Sequence, residues 1–256
     1  MRIVAIANNK GGVGKTTTAL CLAAGLREKK KKVLLIDLDE QENLRYACGL
    51  KEDDVNGSSL LDVIYGKAKV DNCLFQIYDD IADFDLLVGG GDLNDIESES
   101  RAKEDILLKV LKQLNVEYDY IVLDTPPAIN KITKAALTAA DDLIVPIQAA
   151  PFSRQGLHKL FKAVNTVNPK INKVGLLLIG VKENTNIGRE YTDLFQKEAQ
   201  ENYNTRLLKT IIHNSVAIPE AQTMKKTIFQ YAANSTVAND YMNLTNEYLK
   251  GIKKNA

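Results

Sequence analysis

The sequence lacks the features that mark several large classes of protein. Its three cysteines, at positions 21, 48 and 73, include no CxxC pair, so neither a disulfide framework nor a four-thiolate zinc site is predicted. No apolar run reaches the roughly 20 residues that a membrane-spanning helix needs, and no cleavable leader precedes the first motif. We therefore expect a cytoplasmic protein with reduced cysteines.

A net charge is also missing, because 33 lysines and arginines balance 33 aspartates and glutamates. The whole molecule has no net field that would attract DNA, anionic lipid or an acidic substrate, so any such binding must come from a local patch. Apolar residues make up 45% of the chain and charged residues 26%, which is typical of a globular protein. At 256 residues, we expect residues 1–256 to form one domain.

Short apolar runs and helical segments alternate along the chain. The runs predict buried β-strands, and the segments between most of them, such as residues 106–114, have apolar positions on one helical face. This alternation predicts an α/β fold with a mostly parallel twisted sheet flanked by helices on both faces. The polar stretches 51–59 and 89–100 are expected to be loops. The predicted strands lie at residues 3–6, 33–36, 85–88, 120–123, 143–147, 174–179 and 207–212.

A glycine-rich loop with the sequence NKGGVGKTT follows the first predicted strand at positions 9–17 and leads into a helical run. Glycines permit left-handed torsions that turn backbone N–H groups towards phosphate oxygens, and the helix N-terminus adds its positive dipole end. The pattern is that of a P-loop, although Asn9 holds its first glycine position; asparagine tolerates a left-handed torsion there. The predicted nucleotide-binding residues are Lys10, Gly11, Gly12, Val13, Gly14, Lys15, Thr16 and Thr17.

Three residues of this loop have specific expected contacts in a P-loop. Lys15 is expected to place its ammonium between the β- and γ-phosphates, and the Thr16 hydroxyl is expected to ligate Mg²⁺. Thr17 is expected to donate to the α-phosphate. The loop therefore predicts a site for Mg-ATP.

Carboxylates follow the second and fourth of the predicted strands. Asp37 and Asp39 lie in VLLIDLDEQ, and Asp124 ends YIVLD before a Thr-Pro-Pro turn. Ligands of open α/β sheets bind at the carboxyl ends of strands. Residues two apart on a strand face the same side, so Asp37 and Asp39 are both expected at one Mg-phosphate centre. Helix capping by the two aspartates, and a simple turn role for Asp124, remain open alternatives.

The strings KGGVGKTT, DLDEQ and LDTPPA resemble the ParA/MinD superfamily of deviant Walker ATPases, and most closely its ParA/Soj partition ATPases. The resemblance covers nearly the whole chain. It implies an ATPase in which Lys10 crosses an ATP-dependent homodimer to the partner's phosphates and Asp39 orients the attacking water. It also implies that Asp37 and Asp124 support the magnesium. Glu40 and Glu42 stand where the family has proline and glycine.

The last third departs from the family pattern. Where relatives have a Pro-Arg-Asn-Val-Arg run, residues 213–217 read HNSVA. The resemblance places this stretch beside the adenine, so Asn214 is expected to contact the base. His213 is expected to be a packed or surface histidine rather than a catalytic residue.

The resemblance favours a partition ATPase whose ATP-bound dimer holds DNA nonspecifically until a ParB-like activator stimulates hydrolysis. Such a protein would be associated with the nucleoid. The arginines that relatives use for DNA are absent at Asn214 and Ala217, so a substitute basic patch is needed. Its candidate members are Arg154, Lys159, Lys162, Arg189, Lys225 and Lys226.

Other functions remain open on the same fold. A membrane-cycling ATPase of the MinD kind needs a basic amphipathic C-terminal helix, whereas the helix expected at about 235–250 is predicted to pack on the core through Tyr241, Leu244, Tyr248 and Leu249, without a stable membrane anchor. A carrier of iron–sulfur clusters needs the paired cysteines that the chain lacks. A metabolic phosphotransferase or ligase is the third alternative, and Lys10 together with Asp39 favours a switch over it.

Overall fold

The computed structural model describes residues 1–77, 84–98, 104–148, 153–181 and 185–255, without the side chains of residue 153 and of residues 252–255. The described strands form one eight-stranded sheet in the order β3-β4-β2-β5-β1-β6-β7-β8. All neighbouring strands are parallel except β3 and β4, which are antiparallel. The strands are β1 (Arg2–Ile6), β2 (Val33–Asp37), β3 (Phe75–Ile77), β4 (Phe84–Leu87), β5 (Tyr120–Asp124), β6 (Asp142–Gln148), β7 (Asn172–Ile179) and β8 (Leu207–Ile212).

Helices connect most of the strands. Two short 3₁₀ helices, Val70–Cys73 and Leu93–Glu97, accompany the α-helices. The α-helices are α1 (Lys15–Glu28), α2 (Asn43–Ala47), α3 (Glu52–Val55), α4 (Leu60–Ile64), α5 (Ile106–Leu111), α6 (Lys131–Ala139), α7 (Ser153–Val167), α8 (Asn186–Tyr203), α9 (Ala217–Thr223), α10 (Ile228–Ala232) and α11 (Thr236–Asn255).

The hydrophobic core has two halves, one on each face of the sheet. Successive residues of β1 alternate between them: Ile3 and Ala5 face the half that contains α4 to α8, whereas Val4 and Ile6 face the half that contains α1, α2 and α9 to α11. Strands that are covered on both faces are apolar at every position. This explains why the strands appear in the sequence as continuous apolar runs.

The predicted mostly parallel α/β sheet is confirmed, and each of the seven predicted strands is present. The edge strand β3 was missed. The loop predictions are wrong in two places, because residues 51–59 contain the one-turn helix α3 and residues 89–100 contain the 3₁₀ helix Leu93–Glu97. The second of these helices buries Leu93 and Ile96, and this apolar contact is what orders it.

The C-terminal helix α11 packs on the core and extends beyond the expected 235–250 at its C-terminal end. Tyr241, Leu244 and Tyr248 are almost completely buried, and Leu249 is partly buried beside them. The helix crosses α1 closely at Gly25, where an added Cβ would lie 2.2 Å from Thr245 Oγ1. Among the described residues, no helix is both long enough and apolar enough to cross a bilayer.

Candidate nucleotide site

The glycine-rich loop lies between β1 and α1 at the carboxyl edge of the sheet. Gly12 and Gly14 have φ values of 70° and 85°, so both take the left-handed conformation that glycine permits. Gly14 caps the start of α1, while Val13 is buried and Gly11 is exposed. The left-handed torsion expected at Asn9 is absent, since Asn9 is not among the described residues with positive φ. The tolerance of asparagine for left-handed torsions is therefore not needed at position 9.

Three side chains outside the motif hold this loop in place. Gln148 Nε2 donates to the Gly12 carbonyl at 2.9 Å, and Asn8 Nδ2 donates to the Pro146 carbonyl at 2.6 Å. The Thr125 hydroxyl donates to the Ile6 carbonyl at 2.9 Å. Sequence reasoning missed these residues, although the position of Gln148 at the carboxyl end of a strand was a usable signal.

Lys15 is the buried cation of the site. Its side chain folds back into the loop, where Nζ donates to the Lys10 carbonyl at 3.2 Å, and the residue is 6% exposed. Burial lowers the pKa of Lys15, and the nearby carboxylates of Asp124 and Asp39 oppose that shift. The Lys10 side chain is half-buried and its ammonium makes no ion pair with a described residue. Its contact with a second subunit stays a prediction.

The carboxylate of Asp124 lies next to the loop because strand register puts it there. Ile6, Asp124 and Asp37 end β1, β5 and β2 and pair across the sheet in one row. Asp124 is completely buried, and neither carboxylate oxygen has a hydrogen bond of ordinary geometry with a described residue. Burial and then the proximity of Asp37 raise its pKa, which the Thr16 hydroxyl and the Lys15 ammonium counteract.

Burying a carboxylate whose oxygens accept no hydrogen bond from a described residue destabilises the fold, unless a bound ligand contacts those oxygens. Asp124 beside the Thr16 hydroxyl therefore fits a divalent cation. No group of three or more His, Cys, Asp or Glu side chains in the described part of the chain could hold a metal alone. This fits Mg²⁺, which is usually bound through one or two protein oxygens together with water and phosphate.

Asp37 and Asp39 differ in their surroundings. β2 ends at Asp37, so the strand alternation that was expected to align the two carboxylates does not extend to Asp39. The oxygens of Asp37 accept the N–H groups of Asp39 and Leu44, each at 3.1 Å. Asp37 thus caps the segment that starts α2, the role left open as an alternative. Burial and then Asp39 raise the pKa of Asp37 against these hydrogen bonds.

The Asp39 side chain remains near the phosphate loop. It is 7% exposed, and Oδ1 accepts the N–H of Gln41 at 3.2 Å. Three residues later, Glu42 has a φ of 47° and its carboxylate pairs with Arg45 Nε at 2.6 Å. Glycine is the residue that such a torsion favours. This conformation gives a physical reason for the glycine that the resemblance led us to expect at position 42.

His213 and Asn214 directly follow β8. Asn214 packs beside Gly180, where an added Cβ would lie 2.7 Å from Asn214 Oδ1. The expected base contact of Asn214 stays a prediction. His213 Nδ1 lies 2.9 Å from a carboxylate oxygen of Asp240 on α11, and its side chain is 45% exposed. This placement agrees with a surface histidine.

The six candidate DNA residues differ in their surroundings. Lys159 and Lys162 line a cavity of about 480 Å³ next to Asn9, together with Lys134 of α6. The ammonium groups of these three lysines make no ion pair with a described residue. By contrast, Arg154 pairs with Glu198. Two further candidates, Arg189 on α8 and Lys226 after α9, are exposed. The remaining candidate, Lys225, lies over the ring of Tyr46.

A second cavity touches the phosphate loop at Thr16 and Thr17. It has a volume of about 370 Å³ and lies between α2 and α9. Asn214 does not line it. We call it the α2–α9 cleft, and its lining residues are Thr16, Thr17, Asn43, Tyr46, Ala47, Pro219, Gln222 and Thr223.

Comparisons with known proteins identify relatives of the chain. A family model described as an AAA domain matches residues 1–175. The sporulation initiation inhibitor protein Soj of Bacillus subtilis is 31% identical over 253 residues, which are 96% of this chain and 97% of Soj. The chromosome partitioning protein ParA of Myxococcus xanthus is 30% identical over 256 residues, covering 97% of this chain and 88% of that protein.

Solved structures share the whole fold. Cobyrinic acid a,c-diamide synthase from Mycobacterium smegmatis, with bound ADP and magnesium, superposes with a TM-score of 0.83 at 26% identity, over 100% of this chain and 97% of that chain. A plasmid partition protein from Borrelia burgdorferi superposes with a TM-score of 0.77 at 24% identity, over 98% of both chains. At 24% identity, the similarity to the Borrelia protein shows a shared fold and carries no argument about function.

Proposed function

Because this chain belongs to the ParA/Soj family of partition ATPases, we propose that it hydrolyses Mg-ATP as a dimerising switch for plasmid or chromosome partition. The family assigns it to the P-loop NTPases of the ParA/MinD class. In the proposed cycle, the ATP-bound dimer holds DNA nonspecifically, and a ParB-like activator stimulates hydrolysis and release. We place the protein in the cytoplasm, associated with the nucleoid while it holds DNA.

The observation that carries the nucleotide assignment is the unpartnered carboxylate of Asp124 beside Thr16 and Lys15. Thr16 and Asp124 would hold Mg²⁺, with Asp37 supporting them. When bound, the cation neutralises charge on the β- and γ-phosphates. The backbone N–H groups of the loop and the start of α1 bind the phosphate oxygens. Lys15, already desolvated, supplies a cation whose electrostatic effect is stronger than it would be in water.

Hydrolysis needs two further groups in this proposal. Asp39, at the start of the segment that leads into α2, orients the attacking water. Lys10 of a second copy supplies charge to the phosphates, much as an arginine finger does. The half-buried ammonium of Lys10 makes no ion pair with a described residue, which leaves it available for this contact.

Replacing Asp39 with alanine is expected to trap the ATP-bound dimer. The change removes the residue that positions water but leaves the loop, Lys15 and Thr16 able to bind Mg-ATP. Size-exclusion chromatography with light scattering in saturating Mg-ATP should show a stable dimer, and hydrolysis should fall by at least about 100-fold. The matched control is Asp193→Ala, an exposed aspartate on α8, which should keep wild-type turnover. An Asp39→Ala protein that stays monomeric would contradict the dimer mechanism.

DNA binding is proposed through lysines next to the phosphate loop that make no ion pair with a described residue. Lys159 and Lys162 lie on one face of α7, and a dimer would present the pair twice. Phosphate contacts add up, and each contact contributes to the salt dependence of binding. The positive charge of Lys159 and Lys162 supports this part of the proposal, because the arginines that relatives use for DNA are absent from the chain at positions 214 and 217.

The double variant Lys159→Gln/Lys162→Gln is expected to bind nonspecific duplex DNA about 10-fold more weakly in the presence of ATP. The slope of log affinity against log salt concentration should become shallower by about two, because two phosphate contacts are lost. Fluorescence anisotropy over a salt series measures both quantities. Lys29→Gln/Lys32→Gln is the matched control, since these exposed lysines lie at the far end of α1. Equal effects of both double variants would mean that the contact is diffuse.

A metabolic ligase is the second candidate, and the similarity to cobyrinic acid a,c-diamide synthase favours it. Such an enzyme needs an acceptor substrate for turnover, whereas the proposed switch hydrolyses ATP without one. ATP hydrolysis by the purified protein therefore distinguishes the switch from the ligase. The switch should hydrolyse ATP without an acceptor substrate, and DNA together with a ParB-like protein should stimulate that hydrolysis. The MinD-like alternative is disfavoured, because α11 uses its apolar face within the core. Sedimentation with anionic vesicles tests it.

A further inference from the structure

The 3₁₀ helix Leu93–Glu97 lies beside the segment that follows β2. Gly89, in the stretch that leads to this helix, packs against the end of β2, where an added Cβ would lie 2.7 Å from the Asp37 carbonyl oxygen. A side chain at that position would force the stretch away from β2. Further along, Asn94 Nδ2 donates to the carboxylate of Glu40. The 3₁₀ helix is therefore in direct contact with the segment after β2.

Contacts with the core and with α6 hold this 3₁₀ helix in place. Its side chains Leu93 and Ile96 are buried. Lys131, the first residue of α6, donates from Nζ to the Glu97 carbonyl at 2.6 Å and from its backbone N–H to the Glu97 carboxylate. The helix is thus anchored on both sides. Asn94 can therefore restrain the segment that it contacts.

Glu40 occupies the first central position of a β-turn. The turn spans residues 39–42, because the Glu42 N–H donates to the Asp39 carbonyl at 3.0 Å. Its two central residues, Glu40 and Gln41, are not among the described residues with positive φ, as in a type I turn. The Gln41 N–H also donates to Asp39 Oδ1 at 3.2 Å. The turn therefore sets the direction of the Asp39 carboxylate.

Position 40 is where a type I turn favours proline. The proline ring fixes φ near the value that this position needs, and proline is the residue that the family resemblance led us to expect there. Glu40 has no such ring, so its backbone is free to rotate. Its carboxylate instead accepts the hydrogen bond from Asn94. The side-chain contact thus supplies a restraint that the backbone lacks.

We propose that Asn94 is a positioning residue for ATP hydrolysis: by holding Glu40 it fixes the turn, and the turn fixes the Asp39 carboxylate. The proposal rests on the role of Asp39 in the proposed function. Asn94 acts through the turn and not on the nucleotide. Its loss should therefore slow hydrolysis and leave ATP binding intact, because the phosphate loop and Lys15 do not depend on this hydrogen bond.

Steady-state hydrolysis of Mg-ATP by Asn94→Ala tests this role. We expect kcat to fall about 10-fold, because a small misplacement of a reacting group has an effect of this order. KM for ATP should stay within about 2-fold of wild type. Asp95→Ala is the matched control, since Asp95 is the next residue of the same helix and is also exposed, and it should keep wild-type kcat. Glu40→Gln should keep it too, because an amide oxygen still accepts the Asn94 N–H.

Restoring the restraint by another route separates positioning from a general loss of structure. Glu40→Pro/Asn94→Ala should recover kcat to within about 2-fold of wild type, because the ring fixes φ at position 40. The Glu40 N–H donates no hydrogen bond to a described residue, so the proline removes none. The amides of Gln41 and Glu42 should exchange hydrogen about 5-fold faster in Asn94→Ala and return to the wild-type rate in the double variant.

Two results would overturn the inference: wild-type kcat in Asn94→Ala, or a loss of kcat that Glu40→Pro does not restore. Absence of ATP hydrolysis by the wild-type protein would instead refute the proposed function. In that case the exchange rates decide whether Asn94 holds the turn, and unchanged exchange of the Gln41 and Glu42 amides in Asn94→Ala would overturn that claim as well. The two proposals can therefore fail separately.

Discussion

Replacing Lys15 with alanine is expected to abolish Mg-ATP binding, with an affinity loss of at least about 100-fold. Lys15 is almost completely buried, and Asp124 and Asp39 are close enough to affect its pKa. Without its ammonium, a triphosphate would enter a site whose remaining buried side-chain charges are negative. The buried carboxylate of Asp124 would repel the phosphates, and the loop N–H groups alone would not offset this. Isothermal titration calorimetry with Mg-ATP measures the loss.

Thermal unfolding provides a second measurement that does not depend on hydrolysis. Mg-ATP at about 100 times its dissociation constant stabilises a protein by about 2.7 kcal/mol, which for this chain length corresponds to about 5–10 °C in Tm. Wild type should show this shift and Lys15→Ala should show none. Lys29→Ala removes an exposed lysine just beyond the other end of α1 and should behave as wild type. A full ATP-induced shift in Lys15→Ala would exclude the P-loop as the phosphate site.

The phosphate site could be predicted because its residues are adjacent in the sequence. The loop, Lys15 and Thr16 lie within one short stretch, and Asp37 and Asp124 each end an apolar strand. Strand register then places those two carboxylates side by side. The structure adds what spacing alone does not contain. Asp37 caps the α2 segment, whereas neither oxygen of Asp124 has a hydrogen bond of ordinary geometry with a described residue.

Short elements and tertiary contacts could not be predicted in the same way. β3 has three residues, and Gln76 at its centre is exposed, so no apolar run marks it. α3 is a single turn within a polar stretch, where a hydrogen bond from the Lys51 N–H to the Asp54 carboxylate and one buried side chain, Val55, stabilise the turn. The α2–α9 cleft joins segments about 175 residues apart. The contact between Tyr46 and Lys225 could not be predicted from any pattern in a single sequence.

A buried network at the opposite edge of the sheet was also invisible in the sequence. Asp142, at the start of β6, is completely buried and accepts hydrogen bonds from three other elements. Arg2 Nη2 donates at 2.9 Å, Asn172 Nδ2 at 2.6 Å and the Tyr248 hydroxyl at 2.9 Å. The network joins β1, β6 and β7 to α11. Burial and then Asp142 raise the pKa of Tyr248, which therefore keeps its proton and donates.

Asp142→Ala is expected to lower the free energy of unfolding by about 3 kcal/mol, because removing one partner leaves the others buried without an acceptor. We place the effect at the low end of the range for buried pairs because the Arg2 side chain is 30% exposed and water can solvate it in the variant. Urea denaturation measures the change. Asp193→Ala should lie within about 0.5 kcal/mol of wild type, as exposed substitutions usually do.

The same substitution should act unevenly across the molecule. Losing Asp142 releases the Tyr248 hydroxyl from its acceptor, so hydrogen exchange should accelerate most in α11 and at the start of β1. Nucleotide affinity should change little, because the phosphate loop lies at the carboxyl ends of the strands, whereas Asp142 lies at the amino end of β6. A double-mutant cycle of Asp142→Ala with Tyr248→Phe should give a coupling of about 1.5 kcal/mol, the low end of the usual contribution of a hydrogen bond to a charged group. Zero coupling would mean that apolar contacts alone hold α11 on the sheet.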